Sequence, residues 1–113
     1  MQVKLKSISK NEDVKFILNG KKISNRYSTI FYRRLQNKNN KFFNISFITK
    51  KKIGTAVIRN KIKRRLRNMM NEALKKFKIN LNYSYLLIAR KSVLEDEYNF
   101  IKIKIFSELK KIR

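Results

Sequence analysis

The side chains best suited to chemistry in this sequence are cations at helical spacing. Between residues 56 and 67, four cationic side chains and one amide recur at steps of three, four and seven residues, which places them on one face of an α-helix. We call this set the basic stripe, and it consists of Arg59, Asn60, Lys63, Arg64 and Arg67. Like charges at this spacing repel each other, so a stripe without acids is typical of a surface that binds the phosphates of an external polyanion.

A solvated helix face is the alternative interpretation of the basic stripe, because most runs of charge on helices are of that kind. Solvated faces usually mix both signs of charge. This chain has no Asp or Glu between Asp13 and Glu72, whereas Lys and Arg recur throughout that interval. The imbalance favours a binding surface.

A turn and an amphipathic helix must position the basic stripe. Gly54 allows a tight turn and Thr55 can cap the first backbone N–H groups, which predicts a helix over residues 56–77. The apolar residues of this helix fall on a separate arc that must face a core, namely Ile58, Ile62, Leu66, Met69, Met70 and Ala73. Three further cations precede the turn and extend the basic surface: Lys50, Lys51 and Lys52.

Length and charge limit the class of protein. The chain of 113 residues is one domain by size, and its 42% apolar residues suffice for one modest core. The formal net charge of +23 attracts polyanions, which makes nucleic acid the expected partner. An anionic membrane surface is the competing partner. The sequence has neither an apolar run near the ~20 residues of a spanning helix nor a signal-peptide pattern, so we expect no membrane association and a cytoplasmic location.

The residue types exclude most catalytic chemistries. The chain has no Cys and no His, which removes disulfides, thiolate and imidazole nucleophiles and the usual zinc ligands. Most of the seven acids fall at predicted helix starts, where they complement the helix dipole: Glu12, Asp13, Glu95, Asp96 and Glu97. We therefore expect no catalytic residue and no metal ligand on this chain.

Capping patterns predict two further helices. A capping box that starts at Ser9 predicts a first helix over residues 10–19, with Gly20 as its C-terminal cap. A second capping box that starts at Ser92 predicts a last helix over residues 92–112.

Three apolar runs predict a small sheet. Residues 27–35 and 42–49 are rich in aromatic and β-branched side chains and flank a polar turn at residues 36–40, which predicts a hairpin. Residues 84–89 are apolar throughout, which is typical of a central strand covered on both faces. The order of elements predicts an α+β fold, a single compact domain over residues 1–113 in which helices pack on a small sheet.

The run that contains the basic stripe resembles the signature of the protein subunit of bacterial ribonuclease P. The resembling residues are Lys50, Lys51, Gly54, Ala56, Val57 and the stretch from Arg59 to Arg67. The Arg-Asn-Arg core of that signature reads Arg-Asn-Lys here, so Lys61 is a departure from it. Residues 10–27 resemble the opening of the family and residues 86–91 resemble its last strand. The resemblance therefore covers nearly the whole chain.

The resemblance implies a topology and two RNA partners. In the family, a strand, the basic helix and the next strand form a parallel unit with the rare left-handed crossover. The basic helix lies against ribonuclease P RNA, and a cleft between the first helix, the sheet and the basic helix holds the single-stranded 5′ leader of precursor tRNA. The basic stripe, Lys50 to Lys52 and Lys61 are thus implied to bind RNA, and no DNA is expected.

The first helix and the aromatic residues supply the candidate leader cleft. Phe16, Phe31 and Tyr32 could stack on unpaired bases, although most aromatic side chains in so small a domain must pack in its core. By the resemblance, Val14 and Leu18 stand where the family often carries aromatic residues. The candidate cleft residues are Val14, Phe16, Leu18, Phe31 and Tyr32.

The resemblance also implies a division of labour within ribonuclease P, which removes the 5′ leader from precursor tRNA. The RNA subunit carries the hydrolysis and holds most of the Mg²⁺, while the protein binds the leader and lowers the Mg²⁺ requirement. A ribosomal or other structural RNA-binding protein is the alternative, because it would explain the charge and size equally well. A DNA-binding regulator is less favoured, since Asn60 is the one base-reading side chain of the stripe.

Overall fold

A five-stranded mixed sheet is the centre of the structure, a computed structural model that describes residues 3–35 and 40–112. The strands are β1 (Lys4–Lys6), β2 (Lys21–Ser24), β3 (Ser28–Arg34), β4 (Phe42–Ile48) and β5 (Tyr83–Ala89). The helices are α1 (Asn11–Leu18), α2 (Ala56–Lys76), α3 (Ser92–Glu95) and α4 (Tyr98–Lys110), with a short 3-10 turn at Lys51–Ile53. The predicted α+β class is confirmed.

The strands lie in the order β1, β4, β5, β3, β2 across the sheet. β4 pairs in parallel with both β1 and β5, whereas β3 pairs antiparallel with β5 and β2. α2 connects the parallel neighbours β4 and β5, so the implied parallel strand–helix–strand unit is present. The left-handed sense of that crossover stays a prediction.

The predicted hairpin between residues 27–35 and 42–49 is wrong, because β5 lies between β3 and β4. β5 is apolar on both sides, which gives it the central position. The hairpin partner of β3 is β2, a strand of four mostly exposed residues that carries no apolar pattern. β1 was missed for the same reason, and residues 36–39 of the predicted turn lie outside the described residues.

Only one of the three predicted N-terminal helix caps is confirmed. Thr55 caps α2, since its Oγ1 accepts a hydrogen bond from the backbone N–H of Ile58 at 3.3 Å. α1 begins after Lys10 without a side-chain cap, so the capping box at Ser9 is wrong. Ser92 also caps nothing, because its hydroxyl donates to the carbonyl of Arg26 at 2.8 Å instead.

The predicted last helix is divided into α3 and α4 at Asp96. Asp96 has extended backbone angles, and its Oδ2 accepts a hydrogen bond from the Tyr27 hydroxyl at 2.7 Å. Arg26 lies 3.3 Å from the same oxygen. Because the loop before β3 holds Asp96 in place, this acid does not serve the helix dipole as its sequence position suggested.

Neither glycine has a left-handed backbone, and only Gly20 is required by lack of space. Gly54 has a φ of 161°, which is extended; the tight turn is present but lies at Lys51–Ile53, where the Gly54 N–H closes it by donating to the Lys51 carbonyl at 3.3 Å. Gly20 likewise has no positive φ. A Cβ at Gly20 would lie 2.6 Å from the carbonyl oxygen of Tyr32, so only glycine lets the end of α1 approach β3 this closely.

One face of the sheet carries the main core, which α2 and α4 cover. The predicted apolar arc of α2 is buried at Ile62, Leu66, Met69, Met70 and Ala73, and half-buried at Ile58. Phe43 and Tyr85 make an edge-to-face contact beneath it, with ring centroids 5.3 Å apart. This packing fixes the orientation of α2, so its polar side chains must face away from the sheet.

Candidate nucleic-acid interface

The basic stripe lies on the surface of α2 beside its buried arc. Asn60, Arg64 and Arg67 are exposed, while Arg59 and Lys63 are half-buried at the border with the sheet. The one acid of α2, Glu72, lies on the other flank of the helix, where it accepts hydrogen bonds from Lys102 at 2.9 Å and Tyr98 at 3.0 Å. These bonds, that of Lys102 foremost, hold the pKa of Glu72 below its usual value. The acid is therefore engaged away from the stripe.

Not every cation between Arg59 and Arg67 lies on the face of α2 that carries the basic stripe. Arg65 points to the opposite flank, where its Nη2 donates to the backbone carbonyl of Asp96 at 3.2 Å. Its guanidinium also lies 5.4 Å from the ring centroid of Tyr98. Arg65 thus holds the junction between α3 and α4 against α2, whereas Lys61 is exposed.

The second face of the sheet is only partly covered, because α1 alone crosses it. The paired rows of β3, β5 and β4 define this open face, which consists of Thr29, Phe31, Arg33, Ser84, Leu86, Ile88, Asn44, Ser46 and Ile48. Ile17 of α1 is buried against it together with Leu86. The rest of the open face remains available beside the helix.

The basic stripe meets the open face at a small cavity of about 260 Å³. Val14 of α1, Ile48 of β4 and Leu86 of β5 supply its apolar wall. Lys63 and Arg67 line the same cavity from α2. An apolar wall beside two cations suits a nucleotide, since the base can contact the wall while the phosphate pairs with the cations.

A second cavity of about 710 Å³ lies on the open face where β3 begins and β5 ends. Phe31 and Ile88 are among its apolar lining residues. The cations that line it are Lys22, Lys50, Lys52, Arg90 and Lys91. No acid lines it, so the cavity combines an aromatic surface with a positive rim.

Sequence reasoning missed three of these cations. Lys22 is brought beside Phe31 by the pairing of β2 with β3, which the sequence did not reveal. Arg90 and Lys91 follow directly after β5, and two cations at the end of an apolar central strand were a signal that could have been used.

The structure does not bring the five predicted leader-cleft residues together. Phe31 and Tyr32 are consecutive in β3 and therefore point to opposite faces of the sheet. Tyr32 lies on the core face, with its ring centroid 5.5 Å from that of Tyr83. Phe16 lies on the other flank of α1 from Val14, and Leu18 is exposed at the end of α1.

The acids of the described chain do not form a metal centre. Within residues 3–35 and 40–112, no three Asp or Glu side chains come close enough to hold a metal ion. Asp96, Glu72 and Glu108 are instead paired with Arg26, Lys102 and Lys111. In the same described residues, no helix has the length and apolar character to cross a membrane.

The fold and the site define a small basic α+β domain with a surface for polyanions. The sequence profile of the family described as Ribonuclease P matches residues 3–113. The ribonuclease P protein component of Carboxydothermus hydrogenoformans is 40% identical over 104 residues, which cover 87% of this chain and 83% of that protein. The component of Mesomycoplasma hyopneumoniae is 37% identical over 113 residues and covers 96% of each chain.

Solved structures agree with this match. The ribonuclease P protein of Staphylococcus aureus superposes with a TM-score of 0.74 at 30% identity, over 94% of this chain and 93% of that one. That of Thermotoga maritima has the same fold, with a TM-score of 0.79 at 23% identity over 96% and 98% of the two chains. The chain belongs to the ribonuclease P protein family. Its role is therefore in the endonucleolytic removal of the 5′ leader from precursor tRNA.

Proposed function

We propose that the protein binds ribonuclease P RNA through the basic stripe and holds the single-stranded 5′ leader of precursor tRNA on the open face, while the RNA carries the chemistry. One observation supports this most directly. The four cations of the stripe share one face of α2 without an acid, and two of them, Lys63 and Arg67, also line a cavity of the open face. A single surface can therefore meet a folded RNA and a single strand at once.

Electrostatics support the docking role of the stripe. Each phosphate that a cation neutralises releases counterions, which favours association and makes it depend on salt. Arg59, Arg64 and Arg67 also offer planar guanidinium groups that suit phosphate oxygens. Asn60 adds an amide that can both donate and accept hydrogen bonds. The stripe therefore recognises a phosphate backbone with little demand for sequence.

The cavities of the open face support the leader role. Aromatic and apolar surfaces accept any base, and the surrounding cations compensate the phosphates of an extended strand. Phe31 with Lys22, Lys52 and Arg90 has this composition. Because only the precursor carries a leader, contacts here raise affinity for the substrate and not for the product.

In the part of the chain that the structure describes, no three acids converge as the oxygen ligands of a Mg²⁺ site would. We therefore place the Mg²⁺ of the reaction on the RNA subunit. The protein neutralises phosphates with its cations, and this lowers the Mg²⁺ concentration that the assembled particle needs. A cytoplasmic location follows from the proposed partners, since precursor tRNA is processed where it is made.

Cleavage of 5′-labelled precursor tRNA at low Mg²⁺ tests this proposal with three samples: a bacterial ribonuclease P RNA alone, the protein alone, and both together. We expect cleavage at the mature 5′ end in the mixture only. Cleavage by the protein alone, in a preparation freed of any ribonuclease P RNA, would show that the chain carries the chemistry. Tight RNA binding without stimulation would instead indicate a structural RNA-binding protein.

A further inference from the structure

α1 separates two cavities of the open face, and only one of them touches the basic stripe. Val14 lines the smaller cavity with Lys63 and Arg67, whereas Phe16 lines a larger cavity of about 740 Å³. Ser7 and Ile8 line both cavities, so the two are neighbours across the link between β1 and α1. An extended strand that crosses this link would therefore pass from the smaller cavity to the larger one.

Phe16 is held as a rigid aromatic surface in the larger cavity. The guanidinium carbon of Arg33 lies 3.8 Å from the centroid of its ring, and Arg33 Nη1 donates to the Phe16 carbonyl at 2.9 Å. One face of the ring is thus covered by a cation, while the side chain remains 36% exposed. A second planar group could stack on the ring without displacing Arg33.

The wall between the two cavities is also fixed. The Ser46 hydroxyl of β4 accepts a hydrogen bond from the Ile8 N–H at 2.6 Å and donates to the Ile8 carbonyl at 3.0 Å. The link between β1 and α1 is therefore tied to the sheet. A cavity that is formed before its ligand arrives costs little conformational entropy on binding.

The charges around Phe16 distinguish a base from a phosphate. Arg33 is engaged by the ring and by the Phe16 carbonyl and does not line the cavity, whereas Glu12 and Asp13 do, so the acids disfavour a phosphate on the cavity side of the ring. Lys6 and Lys10 line the side formed by β1 and the link. The cavity thus favours an uncharged planar group at the ring and anions at the lysines.

We propose that this cavity is a second subsite for the leader, in which one nucleobase stacks on Phe16 and the adjoining phosphates meet Lys6 and Lys10. The proposal rests on the proposed function, because the strand that reaches this cavity is the leader that passes Lys63 and Arg67. On this proposed path, the nucleotide in this subsite is farther along the leader, and so farther from the cleavage site, than the nucleotides beside the basic stripe.

Abasic scanning of the leader tests the subsite. Holoenzymes are assembled with wild-type protein or with Phe16→Leu, and their dissociation constants for precursor tRNA are measured. One series of substrates varies the length of the intact leader, and a second series places one abasic nucleotide at each leader position in turn. With wild-type protein, an abasic nucleotide at one distal position should weaken binding by roughly fivefold or more, the range of base stacking on an aromatic side chain. Phe16→Leu should weaken binding of the intact leader by the same factor. With this variant, the abasic nucleotide should cause no further loss of affinity.

Leader length and a matched variant supply the controls. Leaders too short to reach the cavity should bind wild-type and Phe16→Leu protein equally, and so should mature tRNA. Phe100→Leu, on the exposed side of α4, should behave as wild type, because that side chain is 64% exposed on a helix of the core face. Equal affinity of Phe16→Leu for every leader, or an equal loss at every leader length, would refute the subsite. Failure of wild-type protein to stimulate the RNA would refute the proposed function separately.

Discussion

The basic stripe gives the sharpest prediction, which concerns the double variant Arg64→Gln with Arg67→Gln. Both side chains are exposed, and glutamine is nearly as good a helix former as arginine, so the fold should be unchanged. If each arginine neutralises one phosphate of ribonuclease P RNA, the double variant should weaken the binary complex of protein and RNA. It should also make that complex less sensitive to salt.

The magnitude follows from counterion release. Each phosphate contact contributes roughly 0.7 to 0.9 to the slope of log affinity against log salt, so the loss of two contacts should reduce the slope by roughly 1.4 to 1.8. At ~0.1 M salt this corresponds to a loss of affinity of roughly 25- to 60-fold, which should fade as the salt concentration approaches ~1 M.

Filter binding or fluorescence titration of RNA over a range of salt concentrations measures both quantities. The control is Lys78→Gln with Lys104→Gln, which removes the same charge from exposed positions away from the stripe, one after the end of α2 and one on α4. The control should retain most of the affinity, since long-range charge alone is screened at this ionic strength. An equal loss in both double variants would mean that total charge, and not the stripe, binds the RNA.

Three further predictions concern the fold that holds the site. Burial, with the hydrogen bond to Glu72, raises the pKa of Tyr98 to about 12. Above pH ~10 the folded state therefore keeps the Tyr98 proton, whereas the unfolded chain loses it. The free energy of unfolding should fall as the pH rises from ~10 to ~12, and the fall should be smaller in Tyr98→Phe. Phe43→Ala, at a fully buried ring, should lower the free energy of unfolding by about 3–5 kcal/mol in urea titrations. Gly20→Ala should lower the melting temperature, because its Cβ would lie 2.6 Å from a backbone carbonyl.

Each of these three has a contrary outcome. If the free energy of unfolding falls equally at alkaline pH in the wild-type protein and in Tyr98→Phe, groups other than Tyr98 cause the fall. A loss below about 1 kcal/mol in Phe43→Ala would mean that the core refills the space. Gly54→Ala is the control for Gly20→Ala, since its nearest contact is 3.1 Å to the flexible end of Ile58. Equal melting temperatures for the two alanine variants would contradict the steric argument.

Helical periodicity made α2 the most predictable part of the molecule. Its buried arc, its first residue and the cap at Thr55 follow from side-chain type and spacing alone, because all the groups involved are local in sequence. β5 was predictable for a related reason, since an apolar run of this length needs cover on both faces. The surface that α2 presents was therefore identifiable before the structure was known.

Pairings between distant segments could not be predicted. The contact of Arg33 with Phe16 and the place of Lys22 beside Phe31 depend on strand order, which no local pattern specifies. Strand alternation, which is a local pattern, already separates Tyr32 from Phe31, but it does not say which of the two faces meets α1; the structure places Tyr32 on the core face. The candidate cleft mixed these residues because the register of β3 relative to α1 was unknown.

The shortage of acids affects the stability of the protein in the absence of RNA. Within the described residues the ion pairs occupy Arg26, Lys102 and Lys111, against thirty Lys and Arg in the whole sequence. The remaining cations repel one another in the folded state, and an RNA that binds only that state stabilises it by mass action. If the protein binds ribonuclease P RNA as proposed, the RNA would therefore also stabilise its fold. Copies in excess of the RNA would then spend more time unfolded, so proteolysis would match the amount of protein to the amount of RNA.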